Sequence, residues 1–359
     1  MAAWRSCPAH APAAIAAAVL LIASGPALRA GQPQEQRPRF RTGIEVVNVT
    51  ATVTDSAGHF VGNLGPGDFT IYEDGLIQKV TQFTKERVPV SLGILLDTSG
   101  SMTGDKIRAA QRALNRFLFD LLDPLDEVFL YRIGDQPKLV QGWTTDRDAV
   151  RSQLGQITPD GQTALYDTVA QAVALLQTGK HWKKALLIIS DGLDNRSQTS
   201  ARKVRQLLRE SDVLVYAIGI EGNNGVTRVS QQRGRQRPPV RLPPITGPGL
   251  RLPPPAQPTP VPPTPTQPGD SEGKGRNPED GVNEGALREL TDDSGGRTEI
   301  IHYSADLDPA TEGIADELSR QYSLGYSPTS ARDGQWHAID VVVRNHNHHV
   351  RARRGYVAY

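Results

Sequence analysis

The sequence predicts a doubly wound α/β domain with a mostly parallel sheet, flanked by two β-rich pieces that together form a small β-sandwich. Three observations predict it. Residues 90–96, 128–133, 185–189 and 213–220 are near-continuous apolar runs, the character of parallel strands covered on both faces. Between them lie apolar residues at helical spacing: Ile107, Ala110, Leu114, Phe117, Leu118 and Leu121 share one face, and Leu165, Val169, Val173 and Leu176 share another. Outside this alternation, apolar and polar residues alternate with the two-residue period of half-buried strands.

In chain order, residues 1–30 read as a secretory leader, with Arg5 and His10 near the start, an apolar run over 11–24 and small residues near Ala27 or Ala30. A retained anchor helix is the other reading, but the run falls short of the ~20 apolar residues a membrane span needs. No other segment could span a bilayer. The mature chain is therefore expected outside the cytoplasm, secreted or held in the periplasm or at a cell surface. Cys7, the only cysteine, lies inside that leader, so disulfides and cysteine metal sites are excluded from the mature protein.

The first flank, residues 40–87, begins with Val47, Val49, Ala51 and Val53 alternating with Asn48, Thr50 and Thr52. Residues 68–73 and 76–83 then read as the arms of a β-hairpin, because Asp74-Gly75 supplies the positive φ angles of a tight primed turn. The α/β domain occupies residues 88–320. It is interrupted at 223–281, where 14 of the 27 prolines fall between Pro238 and Pro268; such a segment cannot build a core and reads as a disordered, polyproline-like surface insertion. Helical spacing resumes over 284–290, followed by a short strand at 298–303 and a helix over 310–320. The tail, 321–359, returns to strands at 322–326, around Ile339, Val341 and Val343, and at 350–357. Each flank contributes only ~40 residues, too few for a secure core alone, so the two are expected to pair.

With 40 basic and 39 acidic residues, no global field points to nucleic acid or to an anionic membrane. Charge-based function must then be local. The segment SLGILLDTSGSM, residues 91–102, is a buried strand ending in Asp97 and followed by a small-residue turn. Asp97, Ser99 and Ser101 place one carboxylate and two hydroxyls at the carboxyl end of that strand, where sheets of this class collect ligands. Carboxylates and hydroxyls are the ligands that hard cations prefer.

The DxSxS pattern after an apolar strand resembles the metal-ion-dependent adhesion site of von Willebrand factor type A domains. The resemblance extends to Thr163, in Asp160-Gly161-Gln162-Thr163-Ala164-Leu165, and to Asp191, in LLIISDG. It covers about residues 88–320. The flanks, VNVTATVTDSAGHFVGNLGPGDFTIYEDG and YSLGYSP with the VRARRGY ending, resemble secreted acidobacterial proteins of this family. The resemblance implies a metal site of Asp97, Ser99, Ser101, Thr163 and Asp191, holding Mg²⁺ or alternatively Mn²⁺ or Ca²⁺. Ser99, Ser101 and Thr163 would bind the ion directly and Asp97 and Asp191 largely through water, leaving a position for an Asp or Glu carboxylate on a protein partner. The rival reading is a structural or assembly protein in which the ion only braces the fold and the β-sandwich or the proline-rich loop makes the contacts.

Other motifs carry less. Asn345-His346-Asn347-His348-His349 reads as a polar hairpin turn, Asp194 and Asn195 as turn formers, and Arg233, Arg235, Arg237, Arg241 and Arg251 as cations of a solvated loop. Arg351, Arg353 and Arg354 read as an exposed sheet face. No GxSxG context surrounds Ser99 or Ser101, no Walker lysine loop is present, and the residue two places after Asp97 is Ser99 rather than a second acid, so no enzymatic class is expected. The sequence leaves the partner, the oligomeric state and the role of the insertion open.

Overall fold

A computed structural model describes residues 46–221, 281–329 and 332–358. The expected leader and all but the last residue of the proline-rich segment lie outside the described residues. The first flank contains β1 (Val47–Thr54), β2 (Phe69–Glu73), β3 (Leu76–Gln78) and β4 (Val80–Thr84). The central part runs β5 (Val90–Asp97), α1 (Asp105–Arg116), β6 (Glu127–Ile133), β7 (Lys138–Thr144), α2 (Arg147–Gln156), α3 (Leu165–Leu176), β8 (Lys183–Ser190), α4 (Ala201–Glu210) and β9 (Val213–Ile220). It continues through α5 (Glu284–Thr291), β10 (Thr298–Ile301) and α6 (Leu307–Arg320). The tail holds β11 (Tyr322–Tyr326), β12 (Trp336–Val343), β13 (His349–Ala352) and β14 (Gly355–Val357).

The central sheet has the order β10-β9-β8-β5-β6-β7 and is parallel except for the edge strand β7. Because β5 is buried along its whole length and β8 from Ala185 onward, their central runs are apolar without alternation. Leu92, Ile94 and Leu96 of β5 face a core closed by α1, α2 and α6, whereas Leu95 faces the core beneath α3, α4 and α5. From β5 the chain moves outward to β6 and β7, then returns to β8 on the other side. The crevice at the carboxyl ends of β5 and β8 is thus the topological switch point of the sheet.

The flanks pair with each other across the length of the chain. One sheet has the order β13-β1-β11-β4 and another β14-β12-β2-β3, so each mixes strands from both flanks. Val47 lies opposite Tyr326, and Ile71 opposite Val341. The inward residues of both sheets, among them Val49, Val53, Ile71, Tyr322, Leu324 and Val341, form one hydrophobic cluster.

Three details depart from the sequence reading. The run 76–83 breaks at Lys79, and β3 and β4 join different sheets; the tail likewise breaks between β13 and β14. Strands that switch sheets at a corner are how two packed sheets are closed, and apolar periodicity does not reveal the corner. The first helical face ends in a π-helical turn, Phe117–Leu121, rather than continuing as α-helix. Arg351 and Arg353 are not an exposed face: Arg353 is buried and pairs with Asp212, and Arg351 pairs with Glu317 of α6. Among the described residues no helix is long and apolar enough to cross a membrane.

Candidate metal centre

Asp97 closes β5 and is fully buried. The chain then leaves the sheet through extended Ser99 and a single 3-10 turn, Gly100–Met102, and enters α1 after Gly104, whose φ of 74° favours glycine. One oxygen of the Asp97 carboxylate accepts from the Ser99 N–H at 2.9 Å. The other accepts from the Ser190 hydroxyl, at the end of β8, at 2.6 Å. The Ser99 and Ser101 hydroxyl oxygens lie 2.9 Å apart. Thr98, between Asp97 and Ser99, turns away and gives both its N–H and its hydroxyl to the Ile133 carbonyl at the end of β6.

The loop carrying Thr163 is fastened directly to this turn. Gly100 N–H donates to the Gly161 carbonyl at 3.0 Å, and Asp160 N–H to the Thr98 carbonyl at 2.7 Å. Gly161 has a φ of 76°, and the N–H that follows, of Gln162, donates to Asp135 at 2.7 Å. Thr163 itself is buried; its N–H donates to the Asn195 side chain at 3.0 Å, and its carbonyl accepts from the N–H groups of Asn195 and Arg196. Asp191, buried just beyond β8, accepts from Leu193 N–H at 3.1 Å, while its carbonyl accepts from Asn283 N–H at 2.8 Å. The five predicted residues therefore stand on three mutually hydrogen-bonded loops at the switch point. Ser101 is the exposed member.

The electrostatics of this cluster are anionic. Burial, first, and the neighbouring Asp191 charge, second, push the Asp97 carboxyl up to about 6, against the hydrogen bonds from Ser190 and Ser99. Among the described residues no Lys or Arg forms an ion pair with either acid. Two neighbouring buried carboxylates beside three hydroxyls make an all-oxygen donor set short of positive charge, which suits a hard divalent ion.

Sequence reasoning missed the residues that aim these groups. Ser190 holds Asp97, Asp135 holds the Gly161 turn, and Asn195 holds Thr163. Asp194 accepts from Leu165 and Tyr166 N–H groups, so it caps α3 instead of merely forming a turn. Only Ser190 had a local signal, as the polar residue closing an apolar strand beside Asp191.

The sequence model of the von Willebrand factor type A domain matches residues 92–193, a span that includes all five residues. This chain carries a von Willebrand factor type A domain. Inter-alpha-trypsin inhibitor heavy chain H4 of Homo sapiens is 26% identical over 136 residues, 34% of this chain and 14% of that protein. Inter-alpha-trypsin inhibitor heavy chain H3 of Mesocricetus auratus is 25% identical over 213 residues, 52% of this chain and 23% of that protein. The chain thus spans less than a quarter of the length of either relative. A solved von Willebrand factor type A structure from Catenulispora acidiphila covers 89% of this chain and 74% of its own, at 12% identity and a TM-score of 0.45. Von Willebrand factor type A domains act in general as protein-interaction modules and commonly hold a divalent metal. The family match stops short of both flanks, so their subfamily resemblance stays a reading of the sequence.

Proposed function

We propose that this chain is a secreted, non-enzymatic binding module that captures a carboxylate of a protein partner through a divalent cation held by Asp97, Ser99, Ser101, Thr163 and Asp191. One observation carries the reading: buried Asp97 feels the charge of buried Asp191, neither is ion-paired to a Lys or Arg among the described residues, and Ser101 beside them is exposed. Mg²⁺ is the ion favoured by an all-oxygen set, with Mn²⁺ or Ca²⁺ as substitutes. Ser99, Ser101 and Thr163 would hold the ion directly and Asp97 and Asp191 through water, so the ion would keep positive charge for an external ligand. A partner's Asp or Glu is the natural complement to that charge. The leader at 1–30 would deliver the chain outside the cytoplasm, and the flanks 40–87 and 321–359 would form one sandwich carrying the domain at 88–320.

The rival reading, in which the ion only braces the fold, draws support from the backbone bonds that already tie the Asp97 turn to the Thr163 loop. Alanine at Asp97 separates the two. Partner capture that needs Mg²⁺, is abolished by a chelator and is lost in Asp97→Ala while the fold persists supports adhesion. Capture that survives in Asp97→Ala, with a large fall in melting temperature, supports bracing.

A further inference from the structure

A second cluster of metal-ligating groups sits in the paired flanks, in the sheet that contains β2 and β12. We infer that Glu73, Asp74 and His337 form a site for a borderline divalent cation, of which Zn²⁺ is the best fit, independent of the Asp97 cluster. The candidate ligand atoms of these three residues all lie within 4.8 Å of one another.

Each ligand is aimed by its surroundings. Asp74 occupies the first position of the hairpin turn between β2 and β3, with a φ of 50° followed by 80° at Gly75. Its N–H donates to the Ala338 carbonyl at 2.9 Å, and one carboxylate oxygen accepts from Ala338 N–H at 2.8 Å. The other oxygen is thereby directed at His337 Nδ1, 2.7 Å away. On the far side of the ring, His337 Nε2 lies 3.2 Å from Asp333 Oδ1. With Nε2–H donated to Asp333, the Nδ1 lone pair faces Asp74, the outer-carboxylate arrangement that orients histidine ligands in metal sites. Glu73 is buried at the end of β2, with the Tyr356 hydroxyl 3.4 Å from its Oε2.

The donor chemistry selects the ion. One imidazole nitrogen with two carboxylates suits Zn²⁺ better than Mg²⁺, which prefers oxygen alone. Three protein ligands are one short of a tetrahedron, so the fourth position is left for water or an external group. Glu73 and His337 form buried walls, whereas the Asp74 side chain is 45% exposed, so the site opens to solvent on the Asp74 side. In the absence of an ion, a proton shared between Asp74 and His337 takes its place. Because Glu73 and Asp74 belong to the first flank and His337 to the tail, an ion here would fasten together chain segments separated by the entire α/β domain.

The test is Zn²⁺ titration of the full chain by calorimetry, after metal stripping and with Mg²⁺ in excess to occupy the Asp97 cluster. One Zn²⁺ is expected to bind. Asp74→Asn, which preserves a residue suited to positive φ, and His337→Gln should each abolish that binding. Asp333→Ala should weaken it about 10- to 100-fold, and Asp97→Ala should leave it unchanged. In the parent, Co²⁺ should give the visible absorption of a nitrogen-containing site, lost in Asp74→Asn. Because Asp97→Ala removes only the first cluster, failure of either site is read separately. An Asp–His–Asp ion pair with no metal role predicts either no Zn²⁺ uptake or uptake indifferent to Asp74→Asn and His337→Gln, and either result overturns the proposal.

Discussion

The α/β body and the paired flanks solve the same burial problem by opposite means. In the body, the strands of the central sheet pair only with one another and are covered by helices that lie within the same part of the chain. In the flanks, each inner strand, β1, β11, β2 and β12, takes at least one neighbour from the other end of the chain. β1 lies between β11 and β13, and Thr52 of β1 shares a hydrogen-bond network with Glu317 and Gln321, 265 and 269 residues away. The body is thus specified by local pattern, whereas the flanks depend on closing a very long loop, which is entropically costly and slow. The difference teaches where substitutions should act globally and where they should act on one site.

The largest expected effect falls on the flanks. Tyr322 is fully buried, its ring centroid 5.0 Å from Phe69, 5.8 Å from Phe60 and 5.9 Å from Phe83, and its hydroxyl donates to the Val61 carbonyl. Tyr322→Ala should cost about 3–5 kcal/mol, the range for emptying a large aromatic site. Calorimetry should show the flank transition moving below that of the body; a single transition shifted as a whole would mean that the two regions fold as one unit.

A smaller effect concerns the seam between the regions, where Lys183 is buried at the start of β8 and donates to the Leu318 carbonyl at 2.7 Å. Burial, and secondarily Arg87, push its ammonium down to about 7, while Asp126 and Glu317 act the other way. Between the ordinary value of 10.5 and about 7, the unfolded chain binds more protons than the folded one, so this group makes stability rise with pH across that window. Lys183→Met should flatten the slope in urea midpoints measured over that range; an unchanged slope would assign it to other groups.

The smallest effect is local to the body. Asp194→Ala removes the cap on α3 and should cost roughly 0.5–2 kcal/mol by urea unfolding. Because the capped helix begins just after Thr163, Mg²⁺ affinity should weaken as well. Loss of stability with unchanged affinity would show that the Thr163 loop is held without the cap.

The contrast also explains what could be read from the residues alone. The strands and helices around Asp97 were legible because burial on both faces and helical periodicity are local signals, and the five proposed site residues came from motif resemblance. Ser190, Asp135 and Asn195 were not, since their roles consist of single hydrogen bonds to residues brought close only by folding. In the flanks, Asp74-Gly75 was legible as a turn, but its partner His337 lies 263 residues onward, with no signal linking the two. The sheet switch at Lys79 and the burial of Arg353 against Asp212 were invisible for the same reason.

The central claim, that the crowded acids at the switch point await a cation, is tested most directly by melting the parent and Asp97→Asn with and without Mg²⁺ at neutral pH. In chelator, Asp97→Asn should be the more stable by on the order of 1 kcal/mol, because it relieves a buried carboxylate whose pKa is pushed up to about 6 by burial and Asp191. Mg²⁺ should then raise the melting temperature of the parent and leave that of the variant unmoved. Equal shifts in both proteins, or none in either, would contradict the account.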